Sequence, residues 1–399
     1  MLADPSHPPL RMAVLTESIS HFEVPLFRLC ARREELTFKV FYVQAVERQR
    51  YDSEYAARID WGDDVLAGYD ATQVPDAEAL CRAARAWGAD VVLMYGYAWP
   101  GALKIIARNW WRGQAQIHRG TLSHYLDPRQ PLKGLLMRPF RRFVLGLFDA
   151  HHYGGDYSRK VLLDAGAKES SLFFVPYSVD TEHFLAASES AQAQKSALAL
   201  RADRGWARDD HVILFIAQHN WFKGPDIAVE TFQQVAQADP RARFLVVGSG
   251  RMTDSMKAAA RQGIEPDRVH FAGFVPSMQT IPYYLASDIV LCSSRYETWA
   301  RMVNEAMLCL RPCVVSRVVA AAGGLVEDGV SGYVVDAPKA DLLAEAIARH
   351  FALPSMDRQK MGEVARRQAQ VFAYEPNMDN VIAAARYAFE RRNPAKAGA

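Results

Sequence analysis

A chain of 399 residues, half of them hydrophobic, has material for two or three cores, which excludes a disordered or fibrous molecule. Lys and Arg number 47 against 45 Asp and Glu, so no overall field recruits nucleic acid and any attraction to anions must be local. No run approaches the roughly 18 apolar residues of a membrane span, and the opening MLADPSHPPLRM lacks the basic-then-apolar pattern of a secretion signal, so the expected location is cytoplasmic.

In chain order the first apolar runs are RMAVLTE (11–17), TFKVFYV (37–43), DVVLMYG (90–96), AQIHRG (115–120) and LFFVPYS (172–178). They end in small or polar residues and precede stretches of helical length. Runs this apolar suit parallel strands covered by helices on both faces. The rhythm returns in HVILFIA (211–217), RFLVVG (243–248), VHFAGF (269–274), DIVLCSS (288–294) and PCVVS (312–316). Two such series predict an α/β chain of two doubly wound, Rossmann-like domains, at 1–185 and 205–375. Residues 376–399 are expected to form a C-terminal helix and tail that pack back on the first domain. The stretch AASESAQAQKSALAL has no strand character, so the boundary is expected at 185–205. Ligands of such sheets gather at the carboxyl ends of the strands, which predicts a cleft between two facing domains. Cys30, Cys81, Cys292, Cys309 and Cys313 form no framework, and Cys309 and Cys313 lack a nearby His, so buried thiols are expected and no metal site.

In the second series FIAQHNWFKGPDIAVETFQQVAQ predicts a strand, a loop and a helix. Pro225 suits the first helical position, and Ile227, Ala228, Thr231, Phe232 and Val235 share one face. Lys223 stands in the loop ahead of the helix. There its charge adds to the orphan backbone N–H groups and the positive end of the dipole, which together suit a phosphate. The same position also suits an ordinary solvated lysine. The glycine cluster VVGSGR (246–251) lacks the full dinucleotide spacing and argues for no cofactor.

Farther on, SSRYETWARMVNEAMLCLRPCVV places Glu297 and Glu305 eight positions apart. DIVLCSS predicts a strand, RYET the loop at its carboxyl end, and ARMVNEAMLCL a helix stopped before Pro312. Glu297 then projects from the loop, and Glu305 sits roughly a turn and a half into the helix. Carboxylates accept hydrogen bonds and sugar hydroxyls donate them, so phosphates on the helix start with hydroxylated rings on the two glutamates would explain the pair. The alternative is structural, with Glu297 as a helix-start charge and Glu305 exposed on its helix.

The Glu-x7-Glu element in ETWARMVNEAM, the KG of WFKGPD, the segment VPYSVDTEHF (175–184) and the run HFAGFVP…IPYYLASDIVLCSSRYE together resemble family 4 glycosyltransferases of the GT-B fold, over roughly residues 11–375. HFEVPLFRL, MYGYAWPGALKIIARNW and IHRGTLSH are similar to members that build bacterial surface polysaccharides. The resemblance implies transfer of a sugar from a nucleoside diphosphate sugar with retention of configuration, no metal, and no cofactor beyond that donor. It implies that Glu305 binds the ribose and Glu297 the donor sugar, beside Thr298 and Trp299. Lys223 would neutralise the diphosphate, and main-chain groups of Phe274, Val275 and Pro276 would read the base. His118 and Arg119, at the end of a strand, would meet the transferring end of the donor or the acceptor, the alternative for both being structural hydrogen bonding.

The chain departs from that pattern at four places. Gln218 stands where Arg is usual, Ala300 where Gly is usual and is followed by Arg301, and Leu310 and Ala320 replace common glycines. Arg301 is expected to supply the phosphate-facing charge that Gln218 lacks. In PLKGLLMRPFRRFVLGLF (131–148), Lys133, Arg138, Arg141 and Arg142 alternate with Leu, Met and Phe and no acid intervenes. Such a helix suits either an anionic membrane, where a lipid-linked or surface-glycan acceptor would sit, or an ordinary core face covered by long basic stems.

Overall fold

The computed structural model describes residues 8–19, 22–44, 49–52, 57–60, 65–120, 136–276 and 279–396. Lys133, at the start of the basic segment, lies outside them. By contacts the chain divides into two compact units. Unit 1 takes Met1–Glu47, Asp63–Tyr177 and Tyr374–Ala399, and unit 2 takes Arg48–Gly62 and Ser178–Ala373.

Unit 1 is built on β1 (Leu10–Thr16), β2 (Leu36–Tyr42), β5 (Asp70–Gln73), β6 (Val91–Tyr95), β7 (Ala115–Arg119), β8 (Ala150–Tyr153) and β9 (Leu172–Phe174). They form one parallel sheet in the order β5-β2-β1-β6-β7-β8-β9. The helices are α1 (Val24–Arg32), α2 (Ala77–Ala86), α3 (Ala102–Trp111), α4 (Arg138–Gly146) and α5 (Asp156–Asp164). One face of the sheet buries Leu15, Val92 and Met94 against Leu80, Ile105, Ile106, Val144 and Phe148. The other buries Met12, Val14, Val91 and Ile117 against Leu26 and Phe27 and against Val381, Ala385 and Ala388 from the C-terminal end of the chain. In that end, Met378–Arg392 is a helix tied to the sheet by Asn380, which donates to the Phe174 carbonyl at 2.9 Å, and by Arg392, which donates to Asp149 at 2.8 Å.

Unit 2 repeats the plan with β10 (His211–Ile216), β11 (Ala242–Val247), β12 (Val269–Gly273), β13 (Ile289–Leu291), β14 (Cys313–Ser316) and β15 (Gly332–Val335), parallel in the order β12-β11-β10-β13-β14-β15. A separate antiparallel pair joins β3 (Gln49–Asp52) and β4 (Ala57–Asp60). The stretch expected to separate the domains is helical instead, α6 (Thr181–Glu189) and α7 (Ala191–Ala202), and belongs to unit 2. Its Ala and Gln content, which argued against a strand, favours helix. Ser190 caps α7 by accepting from the Ala193 N–H at 3.2 Å, and Arg201 anchors it on Asp288 at 2.7 Å.

The helices that position the site are α8 (Pro225–Ala238) after β10, α9 (Thr253–Ala260) after β11, α10 (Ile281–Ala286) before β13, and α11 (Arg301–Leu308) after it. In α8 the apolar spacing buries Ala228, Val229, Phe232 and Val235 on the sheet. Helices α12 (Ala340–Ala352) and α13 (Ser355–Val371) complete the unit, and α14 is the C-terminal helix of unit 1. Two left-handed residues other than glycine occur among the described residues, Ala300 (φ 70°) and Leu310 (φ 63°). They flank α11 at the two positions where glycine was expected, so the backbone keeps the conformation that glycine favours. Ala320, the third such position, lies in a 3-10 turn with no positive φ and needs no glycine.

Candidate active site

In unit 2 the strand order reverses between β10 and β13, and the loops that follow these two strands meet at their carboxyl ends, the usual ligand position in an open α/β sheet. Backbone and side-chain bonds sew the loops together. Ser293 Oγ donates to the carbonyls of Lys223 (3.1 Å) and Gly224 (2.9 Å), and the Arg295 N–H donates to the Phe222 carbonyl at 2.8 Å. The Arg295 guanidinium grips both oxygens of Asp226 (2.9 and 2.5 Å) and lies over the Trp221 ring. Gly224 explains the KG pair: its φ is 63°, and a Cβ there would stand 2.3 Å from the Ser293 carbonyl oxygen.

This stitching sets Lys223 against Glu297. Lys223 closes a 3-10 turn capped by Asn220, whose Oδ1 accepts from the Lys223 N–H at 3.1 Å. Its ammonium pairs with Glu297 Oε2, while Oε1 accepts from the Thr298 N–H at 3.1 Å. The Glu297 backbone is in turn clamped to the segment after β14, accepting from the Ala320 N–H at 3.0 Å. Behind Asn220 stands Gln218, whose Oε1 accepts from Asn220 Nδ2 at 2.6 Å. Gln218 is 8% exposed and its Nε2 has no partner, so the place expected for a cation holds a buried neutral donor.

Glu305 lies on α11, and the structure decides its setting. It is 9% exposed, and the Tyr284 hydroxyl from α10 donates to its Oε2 at 2.7 Å. Burial, then the carboxylate itself, pushes the Tyr284 phenol up, so it remains the donor. The structural alternative of an exposed helical residue is thereby corrected. Trp299 is buried, its Nε1 donates to Asn304 at 2.8 Å, and its ring packs on Phe372, so its side chain faces inward and only its main chain remains for a ligand. Arg301 opens α11 and is partly exposed. Phe274, Val275 and Pro276 follow β12, whose last residue accepts from the Gly248 N–H at 2.7 Å. Gly248 serves packing: a Cβ there would meet the Ala217 carbonyl at 1.9 Å.

Sequence reasoning missed Asn220, Ser293, Arg295 and Tyr284. An Asn three residues ahead of Lys223 is a legible capping signal. The other three have no local signal, because their partners lie between 21 and 74 positions away.

Residues 197–368 match the model of a family described as glycosyl transferases group 1. The fold is GT-B. A D-inositol 3-phosphate glycosyltransferase of Segniliparus rotundus is 32% identical over 197 residues, 48% of this chain and 43% of that protein. One of Geodermatophilus obscurus is 29% identical over 242 residues, 57% of this chain and 50% of its own length. The chain thus spans about half the length of the curated relatives it matches. The Anabaena protein Alr3699/HepE, solved in complex with UDP, superposes with a TM-score of 0.70 at 17% identity, over 94% of this chain and 98% of its own. An α,α-trehalose 6-phosphate synthase of Burkholderia multivorans does so at 0.72 and 13%, over 98% and 99%. These likenesses carry the fold.

The first unit of this GT-B chain buries both His118 and Arg119. Both end β7, and both are 1% exposed. His118 is enclosed by the rings of Tyr97, Phe148 and His151, its two nitrogens have no partner, and burial drives its pKa down to about 3. Arg119 points to the opposite face, donates to the Val175 carbonyl at 2.9 Å, pairs with Glu23 at 3.5 Å and stacks on Tyr177. Strand alternation separates the two side chains, and neither is presented to a ligand in this conformation. Of the basic segment, Arg138 and Arg142 are exposed but Arg141 is buried. No helix among the described residues is long and apolar enough to cross a membrane.

Proposed function

We propose that this protein transfers a sugar from a nucleoside diphosphate sugar to an acceptor hydroxyl, with retention of configuration and without a metal. The observation that carries this reading is the Lys223–Glu297 pair, held at the strand-order reversal by loops that Ser293 and Arg295 sew together. The sugar–diphosphate bond breaks, the acceptor oxygen forms the new bond at the same carbon, and its proton leaves with the diphosphate. Charge grows on the leaving diphosphate, and stabilising developing charge is usually the largest catalytic contribution. Lys223 and the N-terminus of α8 meet it, with Gln218 Nε2 as a neutral donor and Arg301 as a second cation. Donor binding frees Lys223 from Glu297, whose carboxylate then accepts from the sugar hydroxyls. Glu305 accepts from the ribose through Oε1 while Tyr284 holds Oε2, and the main chain at 274–276 reads the base. Support comes from the group 1 match and from the Anabaena protein, solved with UDP-glucose. The proposed acceptor is lipid-linked or a surface glycan at the inner face of the cell membrane, which the protein reaches as a peripheral visitor through exposed Arg138 and Arg142.

The test is hydrolysis of UDP-sugars and GDP-sugars by the purified protein in the presence of a chelator. Glu297→Gln and Lys223→Ala are each expected to slow turnover at least about tenfold, roughly 1.4 kcal/mol in the barrier. Unchanged turnover in both variants refutes the assignment. A second reading, a nucleotide- or glycan-binding module without turnover, is favoured by Gln218 in the place of a cation. Nucleotide binding without any hydrolysis by the wild-type protein decides for it.

A further inference from the structure

Helix α3 is amphipathic in an unusual way. Ala102, Ile105, Ile106 and Asn109 face the sheet, but Leu103, Ala107, Trp110 and Trp111 form a second, outward stripe at helical spacing. Trp111 is 83% exposed. Helix α4 does the same: Arg141, Val144 and Leu145 turn inward, while Phe140 and Phe143 lie outside, with Leu136 exposed just ahead of the helix. The two helices are neighbours. Ile105 and Ile106 share a core with Val144 and Phe148, and Gln116 Nε2 donates both to Ile106 O at the α3 side (3.2 Å) and to Leu147 O just after α4 (2.8 Å).

Of the twelve exposed large hydrophobic residues among the described residues, six lie on this one face, all between Leu103 and Phe143. Scattered singly they would need no explanation, but a cluster does. Lys104, Arg112, Arg138 and Arg142 ring it with exposed charge, and neither helix contains an acid. A second copy of the chain would bring these cations against their own kind, a costly juxtaposition. Basic residues among Trp, Phe and Leu suit a surface that is anionic outside and apolar just beneath.

We propose that the outward face of α3 and α4 is a docking surface for an anionic lipid bilayer, with Trp110 and Trp111 as its interfacial anchors. This deepens the membrane-facing part of the proposed function, which rested on α4 alone, and it is read without any transfer assay, so failure of either leaves the other standing. The probes are vesicles of phosphatidylcholine alone and vesicles containing phosphatidylglycerol. The wild-type protein is expected to sediment with the anionic vesicles, to leave them as salt rises, and to ignore the neutral ones. Trp110→Ser with Trp111→Ser is expected to weaken partition roughly tenfold or more, with nucleotide binding and the thermal transition unchanged because both side chains are exposed. Bromine-labelled lipid is expected to quench the fluorescence of the wild-type protein and to spare that of the double variant. Equal partition of the two proteins, equal binding to neutral vesicles, or absence of quenching overturns the proposal. So does a wild-type dimer in sedimentation equilibrium that the double variant abolishes, which would assign the face to a second copy.

Discussion

Gly224→Ala tests whether the contact between the two site loops matters as the geometry requires. The built Cβ must retreat from 2.3 Å to at least 3.0 Å from the Ser293 carbonyl oxygen, and that atom is backbone of a buried strand end, with no flexible side chain to yield. An alanine held at a φ of 63° costs roughly 1–2 kcal/mol, partly offset by about 0.4–1 kcal/mol from a stiffer unfolded chain. Separating the loops also removes the hydrogen bond in which the single Ser293 hydroxyl proton is shared between the two carbonyls, worth about 1 kcal/mol. The total is a loss of roughly 1–2.5 kcal/mol. In a unit of this size that lowers the thermal transition by roughly 3–8 °C. Gly263→Ala supplies the control in the same unit, since its φ is 84° but nothing lies within 4 Å of the new Cβ. It carries the backbone penalty alone and is expected to cost roughly 1 kcal/mol or less. Differential scanning calorimetry compares the two, and UDP titration is expected to weaken in Gly224→Ala only, because Lys223 moves with the loop. Equal transitions for the two variants would refute the argument that this contact, rather than φ, demands glycine.

Tyr284→Phe removes a buried hydrogen bond to a carboxylate, so stability is expected to fall by about 1.5–3 kcal/mol; nucleoside affinity is expected to fall with it, and unchanged affinity would separate Tyr284 from the ribose assignment of Glu305. His118, His151 and His152 are buried with pKa values depressed chiefly by burial, so the stability they contribute is intact above the usual histidine pKa of about 6.5 and is lost as pH falls below it toward about 3 for His118. Each contributes a slope approaching 1.4 kcal/mol per pH unit, and His118→Leu is expected to flatten the urea-unfolding profile between pH 6 and pH 4 by that amount, whereas an identical slope would deny the burial argument. Arg301→Leu is expected to weaken diphosphate binding about tenfold and to spare nucleoside binding, and adding Gln218→Arg is expected to restore much of the loss. Additivity of those two substitutions within about 0.5 kcal/mol in titration calorimetry would show that the two positions do not share a phosphate.

The sequence alone determined the fold class, because continuous apolar runs alternating with helical stretches leave few arrangements other than parallel sheets covered on both faces. It also placed Lys223 ahead of a helix opened by Pro225, and Glu297 and Glu305 on either side of the start of another, since caps, proline and spacing are local signals. Short strands escaped it. DATQ at 70–73 sits at a sheet edge and is largely solvated, and AHHY at 150–153 places histidines where an apolar run was sought. Only the tertiary structure decided which way side chains face. His118 and Arg119 looked like one polar pair, yet strand alternation sends them to opposite sides of the sheet, each into a buried cluster. Trp299 turned inward to Asn304, only five positions on, and Tyr284 met Glu305 across 21 positions and two separate helices, neither contact being signalled by a local pattern. The glycine substitutions show both halves at once: sequence marked Ala300 and Leu310 as departures, but only the structure shows that both hold the left-handed backbone that their own side chains disfavour.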